Sequence, residues 1–306
     1  MNKNPFSLYD FLGYLFPGLI AVIFSIYLPR LTENDFEFKL LFENSIISGN
    51  TIEILQKLGL IVIVSYLIGH IVSYLSSITV EYLSNRTFGY PSKYLVKDES
   101  TDNEEKTFLI FLFFKDFSFG QCLWRILVIL ILFPISIVFL LLRKSNSFIK
   151  FITRPLESFT KKSINDKLQH LYKIIGIEQD KRNNNYDYHR IIMHYVYNNI
   201  PSCQRKSDNY IAIYGFLRTF TLIACLTYDY IFFVEILCKR AIPDELFIFM
   251  NKEIPNNTYS FFTVCFYLLL LQLCCVILYM AFIKYYRRFT LENLMTMLTE
   301  KIKENQ

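Results

Sequence analysis

Five blocks of this chain are almost free of charge, and nothing else in the sequence constrains the fold as much. Residues 11–28 hold no Asp, Glu, Lys or Arg across 18 positions, residues 126–142 none across 17, and residues 261–283 none across 23. Residues 58–80 carry His70 as their one acidic or basic side chain, and 219–234 are interrupted by Asp229 alone. About 20 apolar residues span a bilayer core, and a helix is the open-ended structure that satisfies its own backbone there. The blocks therefore predict an all-α fold: a polytopic α-helical membrane protein of four to five transmembrane helices, at about 11–28, 55–82, 122–142, 211–236 and 260–284. Segment 122–142 is ambiguous. Its 17 uncharged residues reach only about 25 Å as a helix, and Pro134 stands among them.

A chain of 306 residues has room for one or two soluble domains, but here the apolar residues, 53% of the total, are gathered into these blocks. Only Lys3 precedes the first block and no small-x-small cleavage pattern follows it, so residues 1–30 are expected to stay in the protein. The seven cysteines include no CxxC pair and read as small hydrophobes in the apolar blocks.

Charge suggests the topology, because Lys and Arg collect on the cytoplasmic side. Residues 143–209 hold thirteen of them and the stretch from Lys284 onward five. If all five blocks cross, the inside count is 20 against 9 outside. If the Pro134 block enters and leaves on one side, the count is 24 against 5. Hydrophobicity favours the first arrangement and charge the second. Both make 143–209 and the tail at 287–306 cytoplasmic, between and after membrane regions at 1–142 and 210–286. A multi-pass protein of the inner (plasma) membrane with a cytoplasmic C-terminus is the expectation.

Residues 143–209 read as a basic helical module, with Ile164, Leu168, Leu171 and Ile175 at helical spacing. Its surface suits anionic headgroups or a cytoplasmic protein partner. Nucleic acid is not expected, since acids interleave with the bases and no binding motif appears.

Ionisable groups inside a span are costly and face protein or water. His70 and Glu81 are eleven residues apart, as are Arg218 and Asp229, which places each pair on one helix face about 16 Å apart. They are the candidates for a polar path or gate, with interhelical pairing as the plainer reading. Ser65, Gly69, Ser73 and Ser77 recur every four residues and form a small-residue packing seam, expected to receive another helix of the same chain. In the first block Pro17 cannot donate to the Gly13 carbonyl, so Gly13, Pro17 and Gly18 predict a kink near the membrane surface. No catalytic, cofactor or metal site is expected: HExxH, GxSxG, Walker and GxGxxG patterns are all absent. His189 and His194 are five apart, on different helix faces, and only a forced grouping joins them to Asp187 and Cys203.

Three features recur together: Tyr9-Asp10, Gly13-Tyr14 and Pro17-Gly18 in the first helix, Gly69-His70 in the second span, and Asn199 and Pro201 leading into YGFLRTF with Arg218. In this order they resemble a group of uncharacterised prokaryotic membrane proteins with a YDxxGYxxPG-type first helix. The resemblance implies an accessory role such as anti-phage defence, and carries over no activity or site residue. The expected function is a bacterial membrane effector or sensor, a homo-oligomer that forms or gates a pore. The alternatives are a small-solute transporter or channel and a membrane scaffold for a soluble partner enzyme.

Overall fold

The computed structural model describes residues 10–27, 50–96, 119–141, 152–175, 188–241 and 260–299. Asp187 lies outside the described residues, as do the side chains of His189 and Cys203. Every regular element among the described residues is helical. A π turn at Phe11–Leu15 leads into α1 (Phe16–Tyr27). Helix α2 (Thr51–Ser76) passes through a second π turn, Ser77–Glu81, into α3 (Tyr82–Thr87), and α4 (Pro91–Val96) follows. Next come α5 (Phe119–Ile131), α6 (Phe133–Leu141), α7 (Ser158–Ile175), α8 (Tyr188–Asn199), α9 (Pro201–Ile231, extended by π-helical Phe232–Ala241) and α10 (Phe261–Thr299).

Three helical segments are long and apolar enough to cross a membrane: Thr51–Val96, Gln204–Leu237 and Phe261–Thr299. Phe11–Ile26 is a shorter apolar helix, and α5 with α6 passes the same test as a pair bent by 94°. The chain is a polytopic α-helical membrane protein. Exposed apolar side chains mark the lipid-facing belt. They run from Ile52 to Leu75 on α2 and from Phe261 to Ile277 on α10, about 35 Å and about 24 Å of helix, which brackets a bilayer core of about 30 Å.

The long helices α9 and α10 run antiparallel. Lys206 Nζ meets Glu292 Oε1 at 2.5 Å, Ser207 Oγ donates to Asn293 Oδ1 at 3.3 Å, and farther along Tyr214 packs on Phe282. Pro201 starts α9 at the position where its missing N–H leaves no bond unmade. Helix α10 has 39 residues and is about 58 Å long, so it extends well past the apolar belt. Its far end is part of a second core: Leu294 and Met297 pack with Tyr94, Leu95, Ile164, Leu168, Ile192 and Val196. The stretch from 287 to 299 therefore belongs to this unbroken helix and to the helical module rather than to a separate tail. Lys167 Nζ donates to the Leu298 carbonyl at 2.9 Å, where a cation also suits the C-terminal end of a helix.

The same module fixes the course of the Pro134 block. Gly89, at φ +81°, makes the turn that sends α4 onto α7, a backbone angle that favours glycine. The Leu156 N–H donates to the Leu95 carbonyl at 3.0 Å. The chain thus stands at the same end of the bundle before α5 and after α6. Trp124, on α5, lines a recess with Tyr82 and Tyr90, and Phe139, on α6, packs on Phe88, all at that end. At the bend, Phe133 reaches Tyr228 and Phe232, and Gln272 Nε2 donates to the Pro134 carbonyl at 3.3 Å. The pair α5–α6 is a V bent by 94°, with both arms opening toward that end. Pro134 lacks the N–H that would continue α5, and the buried turn at Leu132 is held by Ile135 and Ser136 N–H groups donating to the Leu132 carbonyl.

Candidate functional site

Helix α1 lies along α2 with almost no side chain between them. A Cβ on Gly18 would stand 1.8 Å from the Ser65 carbonyl oxygen, and one on Gly69 would stand 1.9 Å from that of Tyr14. The seam is therefore filled from within the chain: Ser65 and Gly69 receive α1, while Ser73 and Ser76 face α9. The four-residue period does not continue to Ser77. Buried positions run Ser65, Gly69, Ser73, Ser76, because a four-residue step drifts about 40° around the helix and a three-residue step brings the strip back. Ser77 lines the recess instead.

Proline in the first helix acts differently from a sharp kink. With no N–H on Pro17, the preceding turn widens, and the Phe16 N–H donates to the Phe11 carbonyl five residues back. Gly13, Pro17 and Gly18 are buried. Gly18 serves the contact with Ser65 rather than clearance at a bend.

The π turn at Ser77–Glu81 overturns the shared face expected for His70 and Glu81. One residue more in a turn rotates everything after it by about 100°. His70 sits near the outside of the bundle, its ring stacked on Tyr14 at 3.8 Å and edge-on to Tyr66 at 4.6 Å. Glu81 is turned toward α9, where Oε2 accepts from Arg218 Nη1. Arg218 Nε donates to Ser76 Oγ at 3.1 Å and Nη2 to the Ser73 carbonyl at 3.4 Å. Ser76 Oγ donates to the Ser73 carbonyl at 2.7 Å and lies 3.3 Å from Thr219 Oγ1. The acid of one expected pair thus meets the base of the other. The pair lies beyond Leu75, just past the apolar belt, with side chains 22% (Glu81) and 12% (Arg218) exposed. Asp229, expected on the same path, is partly buried among Cys225 and Tyr228 and lies about three turns from Arg218.

Beside the ion pair opens a recess of about 560 Å³, lined by Ser77, Ile78, Glu81, Tyr82, Asn85, Tyr90 and Trp124. It combines three aromatic rings, one carboxylate and one amide. Asn85 Oδ1 is buried with no hydrogen-bond partner among the described residues. Arg86 lies over the Tyr82 ring and Lys93 over the Tyr90 ring, each 5.8 Å from the centroid. Trp124, Asn85 and Tyr90 escape a sequence reading focused on ionisable groups inside spans. Trp124 is the chain's single tryptophan, and Gln272 is the lone amide in the 261–283 block, which were the signals to find them.

Outside the belt, Tyr197 Oη donates to Asp208 Oδ1 at 2.5 Å. Burial, then the bond to Asp208, push the Tyr197 hydroxyl up to about 12. Among the described residues no three His, Cys, Asp or Glu side chains gather. No protein-family model, no curated protein and no solved structure matches the chain.

Proposed function

We propose that this chain is a bacterial membrane effector or sensor in which the helical module controls a gate in the bundle. One observation carries the reading: α10 belongs to both cores. Phe282, Ile283 and Tyr286 lie in the membrane-side core, and Leu294 and Met297 in the module core, on one unbroken helix. A displacement of the module therefore moves α10, and with it α9, along which it packs. The parts with something to release are close at hand. The Arg218–Glu81 pair ties α9 to α2 where the helices leave the apolar belt, and the re-entrant V rests on α9 through Phe133 and on α10 through Gln272. Non-helical backbone at membrane depth is tolerated where it is buried in protein or lines a water-filled cavity, so the turn at Leu132–Pro134 is the natural gate.

In this reading the module end is cytoplasmic, the membrane is the plasma membrane, and a cytoplasmic partner or signal acts on α7 and α8. Copies assemble as a homo-oligomer through a lipid-facing surface, since α1 and α9 occupy the small-residue seam. A defence role remains part of the proposal on the resemblance alone. The test is membrane potential, followed with a voltage-sensitive dye in cells expressing the chain, its Arg218→Leu variant and a Pro134→Ala variant. Release of the ion pair is expected to raise the leak and straightening of the V to change it. Three chains that insert and leave the potential equally untouched would refute the gate.

A transport reading has one observation of its own, the broken apolar pair α5–α6, since discontinuous helices build transporter sites. Saturable uptake of one solute by liposomes holding the purified protein, without general leak, would favour it.

A further inference from the structure

We infer that the recess beside Glu81 binds a zwitterionic amine-phosphate group, the chemistry of a phosphoethanolamine headgroup. The Glu81 carboxylate and Asn85 are among the residues that line the recess. Arg218 already neutralises Glu81 in part through Oε2, so this carboxylate favours a hydrogen-bond donor of modest positive charge over a metal ion. Tyr82, Tyr90 and Trp124 line the recess too, and aromatic faces attract ammonium groups. Arg86 and Lys93 do not line the recess but lie over two of its rings, Tyr82 and Tyr90, each 5.8 Å from the centroid. Both are cations and stand beside its walls, where a phosphate would meet them.

A primary ammonium on Glu81 and a phosphate toward Arg86 and Lys93 satisfy both kinds of charge. A trimethylammonium has no N–H for Glu81, and a glycerol headgroup brings no cation. Position agrees with chemistry: the recess lies just past Leu75, where the apolar belt on α2 ends, at headgroup depth. Interfacial aromatics are common without any site, and an anchor of that kind answers to every lipid alike. The assignment concerns the same Glu81 as the ion pair of the proposed function, but binding and flux are read separately, so either can fail alone.

Trp124 is the chain's one tryptophan and lines the recess, so its emission reports occupancy directly. The full chain in non-ionic detergent micelles is titrated with short-chain phosphatidylethanolamine, phosphatidylcholine and phosphatidylglycerol, and with soluble phosphoethanolamine. A saturable change with phosphatidylethanolamine is expected at roughly a tenth of the concentration the other two lipids need, the loss of one charged hydrogen bond. An equal response from phosphoethanolamine identifies a free solute, and a response from the lipid alone identifies a bilayer source. Both uphold the headgroup chemistry. Glu81→Gln should weaken binding roughly tenfold. Tyr90→Ala with Lys93→Ala tests the same point should Glu81→Gln fail to fold. Identical responses to all three lipids, no saturable response to any amine, or unchanged affinity in the variants would each overturn the assignment.

Discussion

Gly18, Gly69 and Gly59 allow one chemical change to be made in two opposite surroundings. A methyl on Gly69 would lie 1.9 Å from the Tyr14 carbonyl oxygen and one on Gly18 1.8 Å from that of Ser65, whereas one on Gly59 meets nothing within 4 Å. All three glycines are helical, so each gains about 1 kcal/mol of helix propensity on becoming alanine. At Gly59 that is the whole effect. At Gly18 and Gly69 the obstacle is backbone, which cannot swing aside as a side chain can. Ordinary contact requires α1 and α2 to separate by about 1.5 Å, and overpacking of this kind costs about 1–3 kcal/mol, here toward the upper end. The net expectation is about 2 kcal/mol of destabilisation for Gly18→Ala or Gly69→Ala and about 1 kcal/mol of stabilisation for Gly59→Ala.

At about 2–4 °C per kcal/mol for a chain beyond 150 residues, the midpoint should fall by about 4–8 °C in the first two variants and rise by about 2–4 °C in the third. The assay is the fraction of protein that survives heating as a monodisperse peak in detergent. The double variant Gly18→Ala with Gly69→Ala should lose clearly less than the sum, because the first methyl has already moved the helices apart. If Gly69→Ala tracks Gly59→Ala, or the two seam variants add fully, the helices do not meet backbone to backbone and the reasoning fails.

Arg218→Leu and Glu81→Leu should each destabilise by roughly 1.5–3 kcal/mol, and the double variant by less than either alone, since a half-buried charge without its partner is the costly state; a thermal double-mutant cycle in detergent measures the coupling. Because the folded-state value of Tyr197 lies above its unfolded one, its contribution is whole below pH 10 and disappears as pH rises from 10 to about 12; Tyr197→Phe should flatten unfolding curves across that window. For the re-entrant V, cysteines placed at Arg86, Gln121 and Lys173 should label from one side of sealed vesicles and those at Asn50 and Ser260 from the other; Lys173 labelling with Asn50, opposite Gln121, would refute it.

Membrane class was readable because lipid imposes a length and a composition that blocks such as 261–283 announce without reference to any partner. The course of the Pro134 block was not. Its own residues fit a crossing and a re-entrant V equally well, and charge counts pulled against hydrophobicity. What shapes its bend is a pair of contacts far apart in sequence, the Leu156 N–H on the Leu95 carbonyl and Gln272 on the Pro134 carbonyl. The long reach of α10 was hidden for a related reason. Lys284, Arg287 and Arg288 end the apolar block, yet a helix continues through charge as readily as through leucine, and the module core supplies Leu294 and Met297 with partners.

The site failed to show itself for a subtler reason, which is angular. An eleven-residue spacing defines a common face only while each residue turns the helix by about 100°, and a single wide turn at Ser77–Glu81 resets that count. His70 then looks outward between Tyr14 and Tyr66, and Glu81 looks inward at Arg218. The local contributors are hydroxyls: Ser76 Oγ donates to the Ser73 carbonyl and Thr79 Oγ1 to the Leu75 carbonyl, each at 2.7 Å, and such back-bonding distorts helices. Arg218 adds to the same cluster through the Ser76 hydroxyl and the Ser73 carbonyl, which the sequence around 77–81 does not announce. The recess and the ion pair therefore share Glu81, and under the proposed function a ligand that engages Glu81 in the recess would act on the tie between α2 and α9.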